Sequence, residues 1–147
     1  MISKLKKSLQ KFKIKYLAYQ IMKKIIFTDK VPAPIGPYSQ AILSGNTLYT
    51  SGQIAINPIS GELVLGSIEA ETEQVMENIK ALLNHANMTF ENVVKTTIFI
   101  MNMGDFARIN NVYGKYFNVE TAPARETVQV SALPKDVNIE ISIIAVV

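Results

Sequence analysis

Two charged residues near the C-terminal end of the chain are the strongest candidates for chemistry. Arg125 follows Pro123 and Ala124 at the start of a predicted strand, and arginine is rare here, with two residues against thirteen lysines. A guanidinium group can hold a carboxylate with two parallel hydrogen bonds, which suits Arg125 to binding a small acid. An ion pair with Glu120 or Glu126 is the structural alternative, and the local sequence leaves both interpretations open.

Glu140 is the second unusual position, because it lies inside the alternating run VNIEISI at 137–143. A carboxylate in an otherwise apolar strand is costly unless it is paired or used. If the last two strands form an antiparallel hairpin that pairs Val130 with Val137, Arg125 and Glu140 become diagonal neighbours on one face. Such a pair can bind a small acid and position or deprotonate a water, although a plain salt bridge fits the same spacing.

Four further residues are weaker candidates, each with a structural alternative. Tyr38 lies on a proline-rich loop that can cover a pocket, or it supplies a core aromatic ring. Ser51 and Gly52 follow a predicted strand, where glycine permits a close backbone approach but also makes ordinary turns. Asn110 lies on a predicted helix, where a solvent-facing position is the default. His85 is the only histidine and is assigned no function.

Composition limits the kinds of site that the chain can build. It has no cysteine and one histidine, so we expect no metal centre and no thiol nucleophile. Six of the 15 basic residues lie in residues 1–21, which leaves nine against 12 acidic residues, a net charge of −3 for residues 22–147. No apolar stretch is long enough to span a membrane. We therefore expect a cytoplasmic protein that does not bind nucleic acid.

Residues 1–22 form a basic N-terminal extension, and residues 23–147 form one domain. The extension contains six lysines and no acidic residue before Met22. Three interpretations stay open: a segment upstream of a start at Met22, an amphipathic helix that targets an organelle, or a helix that lies on a membrane surface.

The elements that must position these residues alternate in a way typical of an α+β domain. Their order, β-β-β-α-β-α-β-β, predicts a mixed sheet with both helices packed on one face. The other face is expected to carry Ile141, Ile143 and Ala145 and to meet another copy of the chain, since large exposed apolar patches are uncommon on monomers. We predict strands at 25–27, 41–44, 47–51, 93–101, 124–130 and 137–146, and helices at 67–85 and 104–118.

Seven segments together resemble the Rid family of reactive intermediate deaminases, also called the YjgF family, and in particular its RidA branch. They occur in the family's order over the whole predicted domain, which makes the resemblance far more specific than one motif. The segments are APIGPYSQA at 33–41, GNTLYTSGQIAINPISGEL at 45–63, MENIKALL at 76–83, VVKTTIFI at 93–100, DFARIN at 105–110, APAR at 122–125 and LPKDVNIEI at 133–141.

The resemblance implies a chorismate-mutase-like α+β fold that assembles as a homotrimer with pockets at the subunit interfaces. It also implies a cofactor-free enzyme that hydrolyses enamines and imines, such as 2-aminoacrylate, 2-iminopropanoate and 2-iminobutanoate, to 2-keto acids and ammonia. Two alternatives remain: an endoribonuclease or translation inhibitor, a description also given to this family, and a non-catalytic binder of small acids.

The resemblance assigns roles to individual residues. Arg125 matches the arginine that binds the substrate carboxylate, and Glu140 matches the glutamate that positions the water. Many relatives carry cysteine where this chain has Thr127, and Ser142 replaces the second glutamate of a common Glu-Ile-Glu run. Because imine hydrolysis needs no thiol, we expect activity to survive the first change. The remaining matches to pocket residues are Tyr38, Ser51, Gly52 and Asn110.

Overall fold

The computed structural model describes residues 6, 7, 9–11 and 23–147. Most of the predicted N-terminal extension, and with it the choice among its three interpretations, lies outside these residues. The described part of the extension is helical and exposed. In the part of the chain that the structure describes, no helix is both long enough and apolar enough to cross a membrane.

Within residues 23–147, six strands and two α-helices follow the predicted order. The strands are β1 (Lys23–Ile26), β2 (Ala41–Ser44), β3 (Thr47–Thr50), β4 (Val93–Ile100), β5 (Ala124–Gln129) and β6 (Ile139–Val146), and the helices are α1 (Ile68–His85) and α2 (Phe106–Tyr113). Short 3-10 turns occur at Phe90–Asn92, Met103–Asp105, Gly114–Tyr116 and Pro134–Asp136.

Local sequence explains where these elements begin and end. The turn between β2 and β3 contains Gly45 at φ +60°, a conformation that glycine adopts without steric cost. Helix α1 is capped by Ser67, whose hydroxyl accepts a hydrogen bond from the Ala70 N–H at 3.1 Å. Helix α2 is shorter than predicted, because the chain tightens into 3-10 turns at both of its ends.

The six strands form one sheet in the order β1-β2-β3-β6-β4-β5. Strands β4 and β5 run parallel, and all other neighbours in the sheet are antiparallel. The predicted β5–β6 hairpin is therefore wrong, since β4 lies between these strands. The physical reason is helix α2, which connects β4 to β5 as a crossover and so brings β5 in parallel to the outer edge of β4.

Both helices pack on one face of the sheet, as predicted, and enclose the core. The prediction that Ile141, Ile143 and Ala145 face a partner is wrong, because these side chains are buried under the helices with exposures of 0–2%. The face without helices instead carries Tyr49 and Val128, which are 48% and 43% exposed. The core joins Ile98, Ile100, Ile139, Ile141 and Ile143 of the sheet to Val75, Ile79, Leu83, Ile109 and Tyr113 of the helices.

Candidate functional site

A cavity of about 320 Å³ lies where β6 meets two irregular segments of the chain. Residues of the proline-rich loop before β2 form one wall, residues 51–56 form a second, and Pro134 closes a third side. Tyr38, Ser51, Gly52 and Glu140, which the sequence proposed as site residues, all line this cavity. The structure thus brings four of the seven candidates together.

The carboxylate of Glu140 is the only acidic group among the residues that line the cavity. Glu140 lies in register with Phe99 of β4, on the sheet face opposite the helices. Burial raises the pKa of its carboxyl, and no cation or hydrogen-bond donor of the described residues offsets that desolvation. An uncompensated, half-buried carboxylate of this kind is suited to accept a proton or to orient a water.

The position of the Glu140 side chain leaves room only for glycine at residue 52. A Cβ built on residue 52 would lie 2.8 Å from the Glu140 Cγ and closer still to its carboxyl group, well inside van der Waals contact. Ser51, next to it, donates its hydroxyl hydrogen to the Ser39 carbonyl at 2.6 Å. Ser51 therefore fixes the loop that carries Tyr38, and its oxygen can still accept a hydrogen bond from a ligand.

Three buried polar side chains hold the irregular walls of the cavity, and sequence reasoning assigned none of them a role. Gln40 forms hydrogen bonds with the backbone of Thr28, Val31 and Pro32, which leads into the loop before β2. The Asn78 amide on α1 donates to the carbonyls of Ile54 and Ile56 at 3.2 and 3.1 Å. Glu71 accepts hydrogen bonds from the backbone and side chain of Asn138 at 3.0 and 2.6 Å, just after the turn that contains Pro134. Their helical or loop positions give no periodic signal that could have revealed them.

Arg125 is held in a second, separate environment. Its Nη1 donates to the Oδ1 of Asn110 on α2 at 2.7 Å. Its guanidinium carbon lies 5.0 Å from the ring centre of Tyr113 and 5.6 Å from that of Phe106, so two aromatic rings support it. Burial raises the pKa of the Tyr113 hydroxyl, which donates to Thr96 at 3.1 Å and keeps the ring in place.

Arg125 takes part in no ion pair among the described residues, so the predicted structural alternative is not observed. Glu126 instead binds Lys95 and accepts from the Thr97 hydroxyl at 2.6 Å. A guanidinium group has five N–H donors, and Asn110 occupies one of them. Arg125 is therefore an exposed cation whose remaining donors bind no carboxylate of the described residues.

Arg125 and Glu140 do not share a pocket within one chain. Arg125 lies in register with Thr96, on the helix face, whereas Glu140 lies on the other face. Thr127 follows Arg125 by two residues and so shares its face, in register with Ile98. The predicted diagonal pairing is wrong, and the candidates form two groups: Arg125, Asn110 and Thr127 in one, and Tyr38, Ser51, Gly52 and Glu140 in the other.

A second cleft of about 320 Å³ lies at the C-terminal end of α1 and contains none of the predicted site residues. Lys30, Lys80 and His85 contribute to its walls, but Lys80 is already paired with Glu77 at 3.1 Å. Among the described residues, no three Asp, Glu or His side chains converge in a way that could hold a metal ion. The cavity at Glu140, which contains four of the predicted site residues, is therefore the better candidate for a functional site.

Comparison with known proteins gives consistent matches over almost the whole domain. Residues 28–147 match the family described as Endoribonuclease L-PSP. A RutC family protein from Pyrococcus horikoshii is 54% identical over 124 residues, covering 84% of this chain and 98% of that protein.

Two solved structures show the same similarity in three dimensions. YyfA from Yersinia pestis, described as a protein of unknown function of the conserved Rid family, is 50% identical with a TM-score of 0.82, and the match covers 85% of this chain and 99% of that one. TdcF from E. coli, solved with bound serine, is 42% identical with a TM-score of 0.80, with the same coverage of 85% and 99%.

Proposed function

Because this chain belongs to the endoribonuclease L-PSP family, together with RutC and Rid proteins, we propose that it hydrolyses reactive enamines and imines derived from amino acids. The products are a 2-keto acid and ammonia. In this proposal the chain acts as a RidA-type deaminase on substrates such as 2-iminopropanoate and 2-iminobutanoate. The reaction needs water and no cofactor.

One observation carries the proposal: the carboxylate of Glu140 faces a cavity without a compensating partner among the described residues. A purely structural carboxylate at this depth would be expected to have a hydrogen-bond donor or a cation beside it, because desolvation of a charge is costly. A raised pKa also brings a carboxylate closer to the range in which it exchanges protons with substrate near neutral pH.

The proposed reaction proceeds in two steps. Glu140 orients a water and accepts one of its protons as the water oxygen bonds to the imine carbon, and the C=N bond becomes a single bond. The protonated Glu140 returns this proton to the nitrogen, which becomes an amino group. The proton of the new hydroxyl then passes through Glu140 to the same nitrogen as the C–N bond breaks, so that ammonia leaves, the oxygen forms the C=O bond of the keto group and Glu140 is ionised again. Because such imines also hydrolyse spontaneously, the barrier that the protein must lower is modest.

We propose that Arg125 binds the substrate carboxylate and that a neighbouring copy of the chain in a homotrimer contributes this Arg125. Within one chain Arg125 and Glu140 lie on opposite faces of the sheet, so one pocket can contain both only if two copies supply them. Asn110, Phe106 and Tyr113 preorganise the guanidinium for a bidentate contact. The exposed apolar side chains on the open sheet face and the unpaired outer edge of β5 support an assembly of copies.

Two other functions make different use of the same features. A non-catalytic binder of small acids would bind through Arg125 without turnover, and the serine bound in TdcF shows that one relative accepts a small amino acid. RNA cleavage rests on the family's name. The net charge of −3 for residues 22–147 gives it little support, because nucleic-acid binding relies on a basic surface.

A coupled assay tests the proposal. A PLP-dependent serine or threonine dehydratase releases the enamine, and semicarbazide traps the imine as a semicarbazone that absorbs light. We expect the protein to suppress semicarbazone formation in proportion to its concentration. Arg125→Ala should abolish the effect without changing the oligomer. Undiminished trapping in the presence of protein that binds 2-keto acids would identify a binder instead.

A further inference from the structure

The apolar wall of the cavity is a loop with few hydrogen bonds of its own. Residues 32–38 contain three prolines, which lack an N–H donor, and lie between the first two strands without pairing to either. Pro32, Ala33 and Ile35 of this loop line the cavity, and Ile35 is 73% exposed. A loop of this kind needs an anchor from elsewhere if it is to keep one conformation.

Gln40 provides that anchor. Its side chain is 2% exposed and makes four hydrogen bonds with the backbone that leads into the loop. The Oε1 accepts from the Thr28 N–H at 2.8 Å, and the Nε2 lies 3.0 Å from the Thr28 carbonyl. The same Nε2 donates to the carbonyls of Val31 and Pro32, at 3.3 and 3.0 Å. One amide thus satisfies three carbonyls and one N–H that no strand serves.

The composition of the cavity lining suggests what this wall contacts. Glu140, Ser51 and Gly52 contribute polar groups to the lining, whereas Pro32, Ala33 and Ile35 of the loop contribute apolar surface to the same cavity, together with Ile54 and Ile56. In the proposed reaction the substrate carboxylate binds Arg125, and the imine group lies beside Glu140. The substrate's own side chain is then left to pack against the apolar wall.

We propose that Gln40 is a positioning residue that holds this wall in place, and that the wall binds the apolar side chain of the imine. The proposal rests on the deaminase function argued above and extends it to substrate selection. Hydrolysis of imines with long apolar side chains should depend on Gln40 more strongly than hydrolysis of imines with a methyl group, because only the former bury apolar surface against the loop.

Two substitutions separate the possible contributions of Gln40. Gln40→Met keeps a similar length but removes all four hydrogen bonds. Gln40→Glu is nearly isosteric and turns the donor that faces three carbonyls into an acceptor, so its effect should be larger. Gln10→Met, at an exposed position outside the domain, is the matched control. Melting curves identify temperatures at which every variant is folded.

The assay compares imines of increasing side-chain length, generated by an L-amino-acid oxidase from alanine, 2-aminobutyrate and leucine. In Gln40→Met we expect KM for the leucine-derived imine to rise about tenfold and KM for the alanine-derived imine to rise less than about threefold. The control should match the parent. An equal rise in KM for all three imines would show that Gln40 only stabilises the fold in general. An unchanged KM for all three would show that the wall does not need Gln40.

Failure of the deaminase proposal is distinguishable from failure of this one. If the parent protein hydrolyses none of the imines, the proposed function is wrong, and the wall is tested by binding of 4-methyl-2-oxopentanoate and pyruvate measured by calorimetry. Gln40→Met should then weaken the first ligand selectively and speed amide hydrogen exchange in residues 28–38. Equal weakening of both ligands, unchanged exchange, or no binding by the parent would overturn the role of Gln40.

Discussion

Glu140 lies so close to the backbone of Gly52 that residue 52 has no room for a side chain. A Cβ there would lie 2.8 Å from the Glu140 Cγ. The carboxylate is thereby packed against the chain segment that forms the second wall of the cavity, and its orientation depends on the absence of a methyl group. The contact links a sequence feature, a glycine after a strand, to the chemistry proposed for the pocket.

Gly52→Ala should reduce activity far more than stability. The added methyl group displaces the flexible Glu140 side chain, which can rotate to another rotamer at a cost of about 1 kcal/mol. We expect kcat to fall at least about tenfold, because the carboxylate no longer faces the substrate. Gly66→Ala is the control, since a Cβ at Gly66 meets nothing within 4 Å. Steady-state kinetics and thermal melts measure both quantities, and full activity in Gly52→Ala would count against a catalytic Glu140.

Arg125→Lys should weaken substrate binding although the charge is kept. Lysine cannot form two parallel hydrogen bonds or stack between Tyr113 and Phe106 as a planar guanidinium does. A loss of about 1.5–3 kcal/mol corresponds to a decrease of about 10–150-fold in kcat/KM. Arg108→Lys is the matched control, because Arg108 pairs with Glu69 and Asp105 on the surface. Equal effects of the two substitutions would contradict the carboxylate-binding role.

Activity should fall as the pH is lowered through the pKa of Glu140. Burial raises this pKa above its ordinary value of 4.5, and only the ionised form can accept a proton from water. The acid limb of the kcat profile is therefore expected above pH 4.5 in the parent and absent in Glu140→Gln, whose residual rate should be low.

The same shift predicts a stability gain in Glu140→Gln. A carboxyl whose pKa is higher in the folded state than in the unfolded state destabilises the fold once it is ionised, that is, above the folded pKa. Replacing it with a neutral amide should raise the melting temperature slightly at neutral pH, and the difference should vanish below pH 4.5. The exposed Glu120→Gln serves as control, and a lower melting temperature in Glu140→Gln would show that the carboxylate is structurally paired after all.

Mixed assemblies of two inactive variants should recover activity. If each pocket combines Arg125 of one copy with Glu140 of its neighbour, co-expression of Arg125→Ala with Glu140→Gln restores an intact pair in about a quarter of the pockets of randomly assembled trimers. Mass measurement of the native assembly and the semicarbazone assay test this together. Recovery should be absent when either variant is expressed alone, and its absence in the mixture would place both residues in separate sites.

The strand and helix order was predictable because it depends on local patterns. Alternating apolar residues identify β6, Ser67 and the helical spacing after it identify α1, and a glycine at positive φ makes the β2–β3 turn. The predicted range of α2 is too long, because residues that repeat at helical spacing continue into 3-10 turns. Arg125 and Glu140 were identifiable as unusual from their rarity and from the cost of a charge in an apolar strand.

Only the tertiary structure decided how these residues are arranged relative to one another. The parallel crossover through α2 puts β5 at the sheet edge and inserts β4 between it and β6, which separates Arg125 from Glu140. Sequence periodicity determines which residues of a strand share a face, but not which strands are neighbours, because pairing depends on contacts between distant parts of the chain. For the same reason the buried anchor Gln40, which acts across a loop rather than along a strand, had no signature in the sequence.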